Sequence, residues 1–193
     1  MARPREFNRE EVFCKALYLF WNKGYYATSL DDLLKATGLS KSSFYPAFKS
    51  KRELFLLAFN FYRSQWRDRL KSTVSFERSG RQSIEEFFRG FVSPQSEKEY
   101  SFGCMIVNQT IEMFPHDEEV RKLIESDFHF MEVKLTEIIK RGQADGSIKR
   151  VKDPQQMARF LMTVYHGSQV MIRTGKDKSW FRDILIMIHS NFD

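Results

Sequence analysis

The densest set of chemically useful side chains lies between residues 40 and 51. Ser40, Lys41, Ser42 and Ser43 place four donors in succession, and Tyr45 adds a phenol one helical turn beyond Lys41. Such a row suits hydrogen bonding to phosphate oxygens or base edges, with Lys41 as the partner for a guanine and the serines as adaptable contacts. Thr28, Ser29 and Lys51 stand at predicted helix starts, where free N–H groups and the positive helix end attract phosphate. A second constellation is Asn108, Gln109 and Glu112, a polar stripe with Cys104 at its edge. Asp127 interrupts an apolar stripe containing Phe128 and Met131, so it requires a partner, a water or a ligand. With Tyr62, Trp66, Phe87, Phe88 and Phe91 these residues would line an apolar pocket with a few polar groups, the usual form of a small-molecule site. Taken singly, each aromatic is more often plain core than pocket, and the polar stripe suits a solvated face equally well.

Cys104 carries two readings. Capped by Ser101, it would sit in a first helical turn, where the positive helix end lowers the thiol pKa; otherwise it is a buried, inert cysteine. The four histidines form no metal-ligating pair, and there is no phosphate-cradling glycine loop, nucleophile elbow or carboxylate dyad. Neither a catalytic residue nor a metal or cofactor is expected, and an enzyme is disfavoured.

The elements that would position these groups are helices. The chain has 193 residues, 42% hydrophobic and 15% aromatic, with only 9 Gly and 5 Pro to make turns. That excludes disorder and disfavours a many-stranded sandwich, so the fold is expected to be all-α. Net charge is +6, and residues 1–53 hold 10 Lys plus Arg against 6 Asp plus Glu, so most of the excess sits at the amino end. Two cysteines ninety positions apart suggest no disulfide framework, and neither an export signal nor a membrane-length apolar run is present. A cytoplasmic protein with no membrane partner is expected.

Caps and periodicity predict nine helices. Asn8 opens the first, which closes at Lys23–Gly24; Thr28 or Ser29 opens the second, which ends at Gly38; Ser40 and Ser50 cap the third and fourth. A fifth carries Ile84 to Phe91 before Ser93-Pro94, a sixth spans about 102–114, a seventh runs from Glu118 to about Gln143, an eighth opens at Pro154 and a ninth at Ser179. Pro46, unable to donate back to Ser42, is expected to shorten or distort the third. The eighth and ninth present wide apolar arcs, through Phe160, Leu161, Val164, Tyr165 and Met171, and through Phe181, Ile184, Leu185 and Ile188. One neighbouring helix cannot cover them, which implies a two-fold four-helix interface in a homodimer.

Two short helices joined at Gly38 behind a supporting helix have the layout of a helix-turn-helix unit, whose second helix enters the major groove. Phe20, Gly24-Tyr25, Ala27-Thr28-Ser29, Ala36-x-Gly38-x-Ser40-Lys41, Phe44-Tyr45, Phe48 and Ser50-Lys51 together resemble the amino-terminal signature of the TetR family of bacterial transcriptional regulators. Further along, Gly103-Cys104, Asn108, Glu112 and Pro115-His116-Asp117 resemble a subgroup of that family. The resemblance implies a DNA-binding domain over residues 1–50 and a larger helical ligand-binding and dimerisation domain over 51–193. It implies a nucleoid-associated repressor that leaves a palindromic operator in double-stranded DNA when a small apolar or aromatic effector binds. Two alternatives stay open: a DNA-bound structural or protein-interaction factor without an inducer, and a sensor of oxidants or electrophiles acting through Cys104. Arg3 and Arg5 would form a minor-groove arm or a solvated tail.

Overall fold

The computed structural model describes residues 8–74, 77–90, 100–150 and 152–192. Among them are nine α-helices and no strand, and no helix is long and apolar enough to cross a membrane. Phe91, the Ser93–Pro94 stop and the Arg3 and Arg5 arm fall outside the described residues.

Local chemistry sets the first four helices. α1 (Arg9–Lys23) starts where the Asn8 side chain accepts from the Glu10 and Glu11 N–H groups, and it buries Val12, Ala16 and Phe20 at four-residue spacing. α2 (Leu30–Thr37) opens on a reciprocal capping box between Ser29 and Asp32 and stops at Gly38, whose φ of 74° suits a residue without a Cβ. α3 (Lys41–Phe48), capped by Ser40, turns Phe44 and Phe48 inward. It is not shortened at Pro46: the helix continues through that exposed position to Phe48, because one missing N–H at the solvated surface of a two-turn helix orphans only one carbonyl. α4 (Lys51–Thr73), capped by Ser50, has 23 residues and, at about 1.5 Å per residue, reaches roughly 35 Å. Its amino-terminal half packs on α1, with Phe20 and Phe55 edge to face at 5.3 Å, closing a small head around Leu33, Phe44 and Phe48.

The remainder is a helical body. α5 (Gly80–Arg89) lies on α7 (Glu118–Asp145), and α8 (Pro154–Arg173) covers α7 from another side. α9 (Lys178–Ser190) is capped by Asp177. α6 (Met105–Glu112) is shorter than the predicted 102–114. Gly103 adopts a left-handed φ of 66°, so the helix begins only after Cys104, and Met113 ends it before Pro115.

Candidate DNA-binding surface, interior cluster and apolar face

At the start of α3 the Ser40 hydroxyl lies 2.9 Å from that of Ser42 and 3.0 Å from that of Ser43, a shared cluster that keeps all three beside the helix end. Lys41 reaches Asp31 at 3.5 Å, but both side chains are largely exposed and such a pair is weak, so the ammonium is available to an outside anion. Tyr45 is 51% exposed, as is Tyr26 at 56%, a residue the sequence pattern did not single out. Ser29 is exposed, with its oxygen committed to the Asp32 N–H. The Lys23 ammonium, 2.6 Å from Asp32, is the main reason that carboxyl stays well below its usual range.

Thr28 and Lys51 are placed differently from the expected phosphate contacts. Thr28 is 1% exposed and its hydroxyl donates to the Gly24 carbonyl at 2.5 Å. Lys51 donates to the Tyr25 and Thr28 carbonyls at 3.0 and 2.9 Å and lies 4.2 Å from the centre of the Tyr25 ring; burial pulls its pKa down. Both fasten the turn before α2. Of the candidates, Ser29, Ser40, Lys41, Ser42 and Tyr45 stay exposed and Ser43 half-buried.

In the body, Tyr62, Trp66 and Cys104 do come together. The Tyr62 hydroxyl lies 3.6 Å from the Cys104 sulfur and accepts from the Met105 N–H at 3.2 Å, while the Trp66 indole donates to the Tyr165 hydroxyl at 3.2 Å. Phe87 lies against Tyr165 with ring centres 4.9 Å apart, and against Phe88, which is fully buried. Burial pushes the Cys104 thiol up, as it does the Tyr62 and Tyr165 phenols, despite N–H groups of Ile106 and Val107 that favour the thiolate. This corrects the activated-thiol reading: Cys104 is itself the N-cap, 3% exposed, and Ser101 does not cap α6. At neutral pH a thiol reagent should therefore label the exposed Cys14 at least about tenfold faster than Cys104, the ratio collapsing in denaturant. Comparable rates, read by mass spectrometry of the labelled peptides, would contradict the assignment.

The polar stripe on α6 is tied to backbone groups and side chains of the chain itself. Asn108 donates to the Phe102 carbonyl, and Glu112 accepts from the Tyr25 and Tyr26 N–H groups. Gln109 is fully buried and donates to Glu112; its amide oxygen has no partner among the described residues. Asp127, fully buried, accepts from Arg63 at 3.1 Å and from Arg67 at 2.6 Å. The sequence had shown the carboxylate but not these partners, although arginines four residues apart on an aromatic-rich face of α4 were the available signal. Met131 is fully buried; Phe128 is half-buried against His166, whose pKa burial takes down to about 4.

The arcs on α8 and α9 divide between two sides. Leu161, Tyr165 and Phe181 are buried within the chain, which corrects their assignment to an interface. Phe160, Val164, Met171 and Ile184 instead border a groove of about 460 Å³ together with Trp180 and Met187, and Ile188 forms part of its wall. Leu185 is half-buried. Phe160, Trp180 and Met187 stand 45%, 42% and 62% exposed, an apolar surface of the kind that marks an interaction face.

A capped helix-turn-helix head on a helical body has the layout of a DNA-binding regulator. Residues 15–58 match the model for bacterial regulatory proteins of the tetR family, and residues 80–185, more than half the chain, match the tetracyclin repressor-like C-terminal domain. The chain belongs to the TetR family and is a DNA-binding transcriptional regulator. It is 28% identical over 175 residues, 90% of its length and 83% of the relative's, to the HTH-type transcriptional repressor ComR of Escherichia coli K12. It is 29% identical over 162 residues, 83% of the chain and 84% of the relative, to the HTH-type regulator YezE of Bacillus subtilis 168. Its fold overlays the whole of a cysteine mutant of the TetR-family regulator CifR, complexed with a 26-base-pair operator duplex, with a TM-score of 0.83 at 27% identity.

Proposed function

We propose that this protein is a cytoplasmic, nucleoid-associated repressor that binds a palindromic operator as a homodimer and releases it when a small apolar or aromatic molecule enters the body. The observation that carries this reading is the exposed donor row Ser40, Lys41, Ser42 and Tyr45 at the start of the second helix of the helix-turn-helix. A cysteine mutant of CifR, a regulator of the same fold, is complexed with a 26-base-pair operator duplex. The apolar groove on α8 and α9 supports a second copy there, which would set two heads at a two-fold axis. The effector would act at Tyr62, Trp66, Phe87 and Tyr165, where α4, α5, α6 and α8 converge. Because α4 begins at Lys51 and packs on both head and body, residues 1–50 and 51–193 act as reader and sensor with α4 as the lever. Binding, without catalytic turnover, is the whole activity, and the effector works only through its different affinity for the DNA-competent and DNA-incompetent states.

The test is selection of duplexes from random sequence by the full chain. An enriched palindrome is expected, with Lys41→Ala weakening binding by roughly 5- to 150-fold per half-site and relaxing one position. Lys51→Ala should weaken binding together with thermal stability and leave the salt slope unchanged, because its ammonium is spent on backbone carbonyls. Failure to enrich any sequence would overturn the reading.

A further inference from the structure

We propose that Glu112 is a positioning residue that fixes the DNA-reading head to the sensor body, so that the seat of α6 governs how α2 and α3 are presented. The inference rests on the DNA-reading function proposed above. Glu112 is the last residue of α6, and its carboxylate spans 86 to 87 positions of sequence to accept from the Tyr25 N–H at 3.0 Å and the Tyr26 N–H at 2.7 Å. Those donors follow the end of α1, where the chain turns at Gly24 with a φ of 91° and the N–H groups have passed beyond helical acceptors. Charge-assisted bonds from two consecutive amides to one carboxylate are both strong and directional.

The surroundings are fitted to this contact. Gln109 donates to the same carboxylate at 3.2 Å and holds its orientation. A Cβ on Gly24 would lie 2.8 Å from one carboxylate oxygen and 2.9 Å from the other, so the glycine supplies the clearance as well as the turn. From the opposite side Lys51 grips the carbonyls of Tyr25 and Thr28, and its charge is attracted by Glu112. The turn that leads into α2 is thus held through its N–H groups by α6 and through its carbonyls by α4.

The other end of α6 is tied as well. The Trp21 indole of α1 donates to the Gly103 carbonyl at 2.9 Å, and the Met105 N–H donates to Tyr62 inside the aromatic cluster. A shift of α6 by roughly 1 Å carries the Glu112 bonds out of hydrogen-bonding range. Occupancy of the interior would therefore reach the head through α6 and the turn, in addition to the lever motion of α4, which holds the same turn through Lys51.

Hydrogen exchange of the full chain and binding to the duplex enriched by the wild-type protein together test this. In Glu112→Ala the Tyr25 and Tyr26 amides should exchange at least about tenfold faster, with α2 and α3 still protected, and DNA affinity should fall by a similar factor. Glu112→Gln keeps one acceptor oxygen and should recover part of both. Unchanged exchange, or unchanged affinity in a folded Glu112→Ala protein, overturns the proposal. So does a Gln variant as impaired as Ala with an equally lowered melting temperature, the signature of a merely structural role. If Glu112→Ala does not fold, Glu112→Gln decides alone: it must free at least one of the two amides and weaken binding. If the wild type enriches no duplex, the DNA-reading function fails, while the exchange measurement still decides whether Glu112 grips the turn.

Discussion

Replacing Asp127 with alanine is expected to destabilise the protein by about 3–5 kcal/mol, the scale for removing one partner of a buried ion pair. The carboxylate is fully buried and is shared by Arg63 and Arg67. Arg67 is 28% exposed and can turn outward to water. Arg63, at 9%, would keep the Asn60 side chain, the Leu123 carbonyl and the face of the Phe59 ring, all neutral, and would lose its buried counter-charge. The double variant Asp127→Leu with Arg63→Met should recover most of the loss, because a well-packed apolar pair replaces buried charges at little cost. Urea unfolding of the three proteins checks this; a loss below about 1 kcal/mol in Asp127→Ala would show that the ion cluster is not a structural tie. The site matters beyond stability, since it pins the middle of α4, the helix that joins head to body, onto α7.

Gly80→Ala should be nearly as damaging, at about 3 kcal/mol or more, the upper end of overpacking effects. A Cβ there would fall 2.3 Å from the Gly142 Cα, 2.4 Å from its nitrogen and 2.6 Å from the Ile138 carbonyl oxygen. All three are backbone atoms, so no rotamer change gives relief and α5 must lift off α7. That motion would strain the bonds from the Gly80 N–H to Asp145 and from Arg141 to Ser83. Gly142→Ala meets Cδ1 and Cγ1 of Ile148 at 2.6 and 2.7 Å, a side chain that can turn at χ1, and the Gly80 Cα only at 3.3 Å, so it is expected to cost less, about 1–2 kcal/mol. Thermal unfolding of both variants should rank them in that order, and equal losses would refute the close-approach argument.

How legible the molecule was in its sequence follows the range of the interactions. Asn8, Ser40 and Ser50 cap their helices as expected, and of the two candidates Thr28 and Ser29 it is Ser29 that caps α2, since each cap is a bond between residues two or three apart. The division of the α8 and α9 arcs was not legible. Helical periodicity gives the phase of an apolar stripe but not which part of a wide one the chain covers itself, so Tyr165 and Phe181 read like Phe160 and Ile184. Cys104 failed for a related reason. A helix start at Ser101 was locally plausible, but Gly103 takes a left-handed conformation against the Gln169 carbonyl and Arg173 of α8, and that delays α6 to the far side of the thiol.

Composition and caps were enough to determine an all-α chain with a basic amino end, because those features depend on neighbours along the chain; the helix-turn-helix head followed from the spacing around Gly38 together with the resemblance to the TetR signature. What Glu112, Lys51 and Asp127 do was decided only by the tertiary structure. Each is a charged side chain whose role is set by the group it meets, and those groups lie from 23 to 87 residues away. Sequence spacing carries helical phase but no information on such meetings, which arise when packed helices bring orphan backbone groups and buried charges within 3 Å or so of a partner.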